Sequence, residues 1–552
     1  MSAFFERHKY LLILYLILLV SVVLSNARGD FPLNDDWTYA WSVQKWLKDG
    51  VVILGDWPAM TLVTHLFWGL LFTKTFGFSF VVLRFSTLIS VLIGLTFLFH
   101  LTEKMSGKKQ IAFLACLSLL STPLYFSLAN TFMTDVNFCT LLIIAIYVAW
   151  QFFERPSVLL LSLALVLSIA LVLLRQFGII YPLMFFFTNL FLGKKNWHYS
   201  LGALLLIVIT YWIYSRYEAY LKLTLSPAAA YKYSDAISPV GKQFWMNLYT
   251  GMAARYRIFI IHALFYTTTF TIAFLPAVIK GGKNSWTLLI SLGSVALVAL
   301  IFTDYPLQVG NVMSNVAIGP DTTFTTLNGY YGGPPHLYSQ AFAELLDFLK
   351  IVFLSLSFGI IINACLSLFK TRQLKFQANF FFLICLFAAY LVMLLEADTF
   401  FDRYQLPVIL FSLLILTFLF RDHQISFVLV LVPLVFWMYV SIGGTRDYFS
   451  WNRLKWQAYE ELKNKEHVDA SVIHGGFEIM CWEGGSQRFY KEFDKSAPFQ
   501  YILQFDELDS FTVYKSYPFR RYLLPGADTL KVLKRVKFAK NSVPEQAEKD
   551  RQ

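Results

Sequence analysis

Residues 10–41 read YLLILYLILLVSVVLSNARGDFPLNDDWTYAW. An apolar run over 10–27, long enough to cross a hydrocarbon core as helix, gives way to a polar segment bearing two adjacent carboxylates, Asp35 and Asp36. A helical pattern with one apolar face follows over 37–49. The stretch predicts a membrane span, a segment emerging from it, and a helix lying on the membrane surface.

The rest of the chain repeats the first of these elements. Of 552 residues, 57% are hydrophobic, 18% aromatic and only 15% charged, with a mean hydropathy of +0.56. A soluble domain carries about 25% charged residues, so a soluble, disordered or collagen-like chain is excluded. Thirteen apolar runs predict spans near 10–27, 81–101, 111–128, 136–153, 158–174, 179–192, 200–219, 256–279, 285–302, 343–369, 378–395, 405–420 and 425–443. The equally apolar stretch 59–76 is read as an interfacial helix, because counting it as a span would invert every later loop. Four of the five cysteines sit inside apolar runs and only Cys481 lies in polar sequence, so no structural disulfide is expected.

The formal net charge is +11. With the N-terminus (Arg7, Lys9) cytoplasmic, the inner segments hold fourteen Lys or Arg against four acids. That is the positive-inside bias, and it accounts for the basic balance without nucleic acid. The C-terminus then lies outside. Ser25-Asn26-Ala27 imitates a signal-cleavage site, but an uncleaved anchor is the reading adopted. The chain divides into a transmembrane unit, 1–443, whose first outer loop with its juxtamembrane helices covers 28–80, and an outer α/β domain, 444–552. In the latter a helical pattern at 451–464 precedes β-like runs near 468–473, 511–516 and 530–537, and a polar tail begins near 541.

This topology gathers ionisable residues on one side. Asp35-Asp36 either cap the helix over 37–49 or serve as a general base or divalent-cation ligands, since adjacent carboxylates raise one another's pKa. Asp135 opens the fourth span and has the same two readings. Arg175, in LLRQFGIIYP, either snorkels or clamps a phosphate; Arg403, in DTFFDRYQLP, either pairs simply with Asp402 or Asp398 or does the same. The Gly-, Pro- and Tyr-rich loop 325–338 is an irregular connection or a cover over a site. His65, His100 and His262 are expected to be packed rather than metal-bound. Walker, HExxH, CxxC and GxSxG motifs are missing.

Several short motifs resemble the GT-C superfamily of membrane glycosyltransferases, most of all the bacterial branch holding the aminoarabinose transferases and protein O-mannosyltransferases. They are Asp35-Asp36-Trp37-Thr38-Tyr39-Ala40 after the first span, Pro58 before the interfacial helix, Phe76-Gly77-Phe78-Ser79-Phe80 with Arg84, Asp135 opening the fourth span, Arg175 where the family commonly has Lys, and Arg403-Tyr404-Gln405-Leu406-Pro407. The Asp56-Trp57-Pro58 segment keeps an acid but lacks the Lys that the aminoarabinose transferases carry there.

The resemblance implies an all-α polytopic fold of GT-C type with about thirteen spans, and residence in a bacterial inner membrane. It further implies inverting transfer of a sugar from a polyprenyl-phosphate donor to a glycolipid, glycan or protein acceptor on the outer face. Asp35 would be the base, with Asp36 and Asp135 as supports. Arg175 and Arg403 would hold the departing phosphate, with Tyr404 and Tyr39 in the same binding site. A divalent cation, Mg or Mn on Asp35 and Asp36, stays open. The rival classes are a polytopic transporter or lipid flippase, which would show repeated halves and helices broken at the midplane, and an unrelated glycan ligase or polymerase.

Overall fold

A computed structural model describes residues 2–55, 57–58, 60–192, 197–224, 258–281, 293, 312, 340–371, 377–396, 401–491, 499–508, 510–524 and 526–536. The expected span 285–302, the loop 325–338, Asp56, Asp398 and the polar tail from 541 lie outside the described residues.

Helices stand at the other expected span positions. They are α1 (Ser2–Ser25), α4 (Phe80–Ser106), α5 with α6 (Lys109–Ser121, Pro123–Ala129), α7 (Thr134–Glu154), α8 (Val158–Val172), α9 (Ile180–Leu192) and α10 (Trp197–Thr224). After these come α11 (Ile258–Tyr266) with α12 (Thr268–Lys280), then α13 (Gln340–Thr371), α14 (Ala378–Glu396), α15 (Leu406–Leu419) and α16 (Phe427–Glu460). Eight of the described helices are long and apolar enough to cross a membrane, or ten if each of two bent pairs is one span. Pro123 explains one bend: it lacks the N–H that would continue the ladder, and the axis turns by 72° between α5 and α6.

Between α1 and α4 lie two short helices, α2 (Asp36–Asp49) and α3 (Val63–Phe76). Each is 14 residues, about 21 Å, too short to cross a core of about 30 Å. That length agrees with the expected surface-lying placement.

The helix of the last expected span, α16, runs on to Glu460. It continues unbroken across the expected domain boundary, so that the helical pattern at 451–464 belongs to α16 and a following π turn, Glu461–Lys465. Beyond it come α17 (Phe477–Lys491) and a four-stranded sheet of β1 (Ile473–His474), β2 (Tyr501–Gln504), β3 (Phe511–Arg521) and β4 (Gly526–Arg535), in the order β1-β2-β4-β3. The β-like run at 468–473 is mostly a 3-10 turn, and β2 was not foreseen because four residues, all buried, carry no alternation to read.

Candidate active site

The segment joining α1 to α2 folds by local chemistry. Asn34 takes a left-handed conformation at φ 54° and turns the chain so that the Asp36 carboxylate accepts from the Leu33 N–H at 2.5 Å. Its other oxygen accepts from the Phe132 N–H at 3.4 Å and stands 3.8 Å from the Arg84 guanidinium. Arg84, near the start of the apolar helix α4, lies against Phe31, Phe80 and Phe449 and also donates to the carbonyls of Gly29 and Phe31. Asp36 is thus a fully buried tie between three elements. Burial pushes its pKa up to about 7, the Arg84 charge and the two backbone donors opposing that rise.

Asp35 points elsewhere. It stands at the N-terminus of α2 yet makes no capping bond. One carboxylate oxygen accepts from Trp57 Nε1 at 2.8 Å, and the other meets Arg403 Nη2 at 2.7 Å. Arg403 therefore pairs neither by snorkelling nor with Asp402, whose carboxylate accepts the Arg403 and Val312 backbone N–H groups instead.

A second pair is built alongside the first. Asp135, in the first turn of α7, binds Arg175 Nη2 at 2.7 Å, and Arg175 also donates through Nε and Nη2 to Thr134 Oγ1 at 3.1 and 2.5 Å. Both members are buried, and the outer Asp135 oxygen has no hydrogen-bond partner among the described residues. Tyr404 joins the pairs, since its ring centroid lies 5.8 Å from the Arg175 guanidinium and 5.7 Å from that of Arg403. The phenol of Tyr39 feels all four charges; burial pushes its pKa up, so it stays a neutral donor. One turn deeper a narrow apolar crevice opens between Phe138, Leu171, Phe177, Tyr181, Tyr390 and Phe411.

Asp35, Asp135, Arg175, Arg403, Tyr39 and Tyr404 thus meet in one place, whereas Asp36 backs them from behind. A metal does not fit this donor set. Every oxygen of Asp35 and Asp36 already faces an N–H or a guanidinium, and no group of three or more His, Cys, Asp or Glu occurs among the described residues. His65 is packed, its ring on Phe132 and its nitrogens bonded to the Phe132 carbonyl and Asn137; burial lowers its pKa to about 3, so it is uncharged. His262 is likewise buried. His100 departs from expectation: it is exposed beside Glu103 at 3.5 Å, because its face of α4 looks away from the core.

Sequence reasoning missed three contributors. Trp57 gave no sign that its indole reaches Asp35. Glu478 and Lys455 lie over four hundred residues from the carboxylate pair. Glu478 accepts from the Asn34 N–H at 3.3 Å and meets Lys455 Nζ at 3.4 Å, while Phe477 packs on Trp57 with centroids 5.1 Å apart. The C-terminal domain therefore braces the very turn that carries Asp35. Cys481, expected in a polar setting, is buried beside Trp37.

Residues 62–214 match the profile of the family described as dolichyl-phosphate-mannose-protein mannosyltransferase. Over that segment, which holds Asp135 and Arg175, the resemblance to GT-C membrane glycosyltransferases first read from short motifs is borne out. No curated protein sequence matches the chain. Among solved structures, ArnT from Cupriavidus metallidurans bound to undecaprenyl phosphate is similar at 12% identity, covering 98% of this chain and 100% of that one with a TM-score of 0.39. Its apo state is similar at 10% identity over 97% and 98%, with a TM-score of 0.38. At such scores the site rests on its own residues.

Proposed function

We propose that this multi-pass membrane protein transfers a sugar from a polyprenyl-phosphate donor to an acceptor hydroxyl. Transfer would occur on the membrane face that carries the C-terminal domain, with inversion at the anomeric carbon. The observation that carries the proposal is the paired arrangement: two guanidiniums, each held by a carboxylate at 2.7 Å, with one aromatic ring between them.

A donor phosphate is a bidentate partner for guanidinium and can take the place of the Asp35 carboxylate on Arg403. Arg403 then moves its hydrogen bonds to phosphoryl oxygens and Asp35 is released, still oriented by Trp57. Asp35 takes the proton of the acceptor hydroxyl, and that oxygen bonds the anomeric carbon from the face opposite the phosphate. The carbon–oxygen bond to phosphate breaks, its electron pair leaves with the lipid phosphate, and Arg175 and Arg403 hold the resulting charge. Asp135 keeps Arg175 aimed, and Tyr39 supplies a neutral hydrogen-bond donor. In this scheme the enzyme lies in a bacterial inner membrane with its N-terminus cytoplasmic.

The test compares glycolipids and glycoproteins by mass spectrometry in cells carrying the chain, lacking it, or carrying Asp35→Asn. A sugar modification present only with the unaltered chain supports the proposal; an identical profile in all three overturns it.

A further inference from the structure

A second cluster of cations lies away from the two pairs, where α1 ends and α16 leaves the membrane. Val428, Val432, Val435 and Tyr439 recur along α16 at steps of three or four residues, so they share one face, and all are exposed, from 49 to 75%. The same face continues through Ile442 to Arg446 and, seven residues on, Arg453. It changes there from hydrocarbon-facing side chains to guanidiniums, which is what the headgroup level of a bilayer demands. The adjoining α1 presents Leu16, Leu19, Val23 and Leu24, also exposed.

Both arginines reach across to the end of α1: Arg446 donates to the Leu24 carbonyl at 3.1 Å, and Arg453 to those of Asn26 and Arg28 at 3.0 and 2.9 Å. The β3–β4 turn closes the third side. Tyr439 donates to the Tyr522 and Leu523 carbonyls, and Tyr522 stacks on Arg446 at 3.7 Å. Arg521 flanks this turn, and its Nε and the Arg446 Nε have no hydrogen-bond partner among the described residues. Arg28 and Arg446 both repel Arg453. The nearest acid, Asp447, has both oxygens committed to the Tyr522 and Leu523 N–H groups, at 2.8 and 3.0 Å. Four guanidiniums thus face one occupied carboxylate at the top of a lipid-facing seam.

We infer that the seam between α1 and α16 binds an anionic phospholipid, its acyl chains along the apolar faces and its phosphate on Arg446, Arg453 and Arg521. The site is separate from the sugar-transfer reading and stands or falls without it. An apolar seam continuous with unspent donors favours a lipid over a free anion, because only a lipid fills both halves.

The test uses the full chain purified in mixed micelles of phosphatidylglycerol and phosphatidylcholine, with retained lipid counted by native mass spectrometry. The expected result is enrichment of phosphatidylglycerol, about fivefold for each cation engaged. Arg521→Gln, which removes no hydrogen bond seen within the protein, should lower that enrichment, and Arg446→Gln should lower it too. Equal retention of both lipids by the unaltered chain overturns the inference and needs no variant to fold. So does an enrichment that survives both substitutions, or inorganic phosphate raising the melting temperature as much as phosphatidylglycerol does.

Discussion

Asp35 and Arg403, from the first and last thirds of the chain, hold each other at 2.7 Å, both nearly buried, and the Trp57 indole fixes the carboxylate from its other side. Breaking one partner of such a pair leaves a charge without compensation. Arg403→Gln should therefore destabilise the protein by about 3–5 kcal/mol, and Asp35→Asn with Arg403→Gln together by less than the sum of the two. Melting temperatures of the four proteins in one detergent check this; additive losses would mean the pair is not coupled.

Asp35→Asn keeps the shape of the carboxylate and its bond from Trp57 but removes the proposed base. Measured on protein below its lowered melting temperature, sugar transfer should fall by about 10²–10⁴-fold. Turnover retained by a well-folded variant would assign the base elsewhere.

Arg175 presents a planar fork to Thr134 and Asp135. Arg175→Gln should raise the donor KM by about 10–100-fold, the worth of a hydrogen bond to a charged group, and leave acceptor dependence unchanged. Arg175→Lys should retain more of the binding. The separate titration of donor and acceptor decides the matter; a loss confined to the acceptor contradicts the assignment.

Asp36 carries a pH dependence of definite sign. Its folded pKa, about 7, lies above the ordinary 3.8, so the folded state binds more protons than the unfolded one between those values. Stability is then fully present below pH 4 and is lost as pH rises through 7. The melting temperature should fall from pH 5 to pH 8, and Asp36→Asn should flatten that slope. A slope identical in both proteins assigns it to another group.

Glu478 reaches the Asn34 N–H from the C-terminal domain and thereby holds the turn that aims Asp35. Glu478→Gln should cut kcat, by up to about 100-fold if the carboxylate shifts by 1 Å, with KM little changed. Glu478→Asp, which keeps the charge facing Lys455, should restore melting temperature but not kcat. Recovery of both would reduce Glu478 to a structural role.

Much of the helical framework could be read from the chain because hydrocarbon forces a simple code: long apolar runs, charged turns, and short helices where an apolar stretch cannot span. Asp35, Asp135, Arg175 and Arg403 were legible for the same reason, each being a charge where charge is costly. Trp57, Glu478 and Lys455 were not. An indole N–H in a loop and an acid on a water-exposed domain break no local rule, and only the tertiary fold discloses that they converge on Asn34 and Asp35. Nor did the polar residues from Thr445 onward disclose that helical hydrogen bonding carries straight through them into the C-terminal part.

That continuity makes α16 a strut rather than a tether. Its 34 residues extend about 50 Å, against about 30 Å of hydrocarbon, and the surplus carries the domain with no slack between. Inserting a single residue into the emergent part would swivel everything beyond it by about 100°, wrenching Phe477 off Trp57 without altering one residue of the turn that carries Asp35.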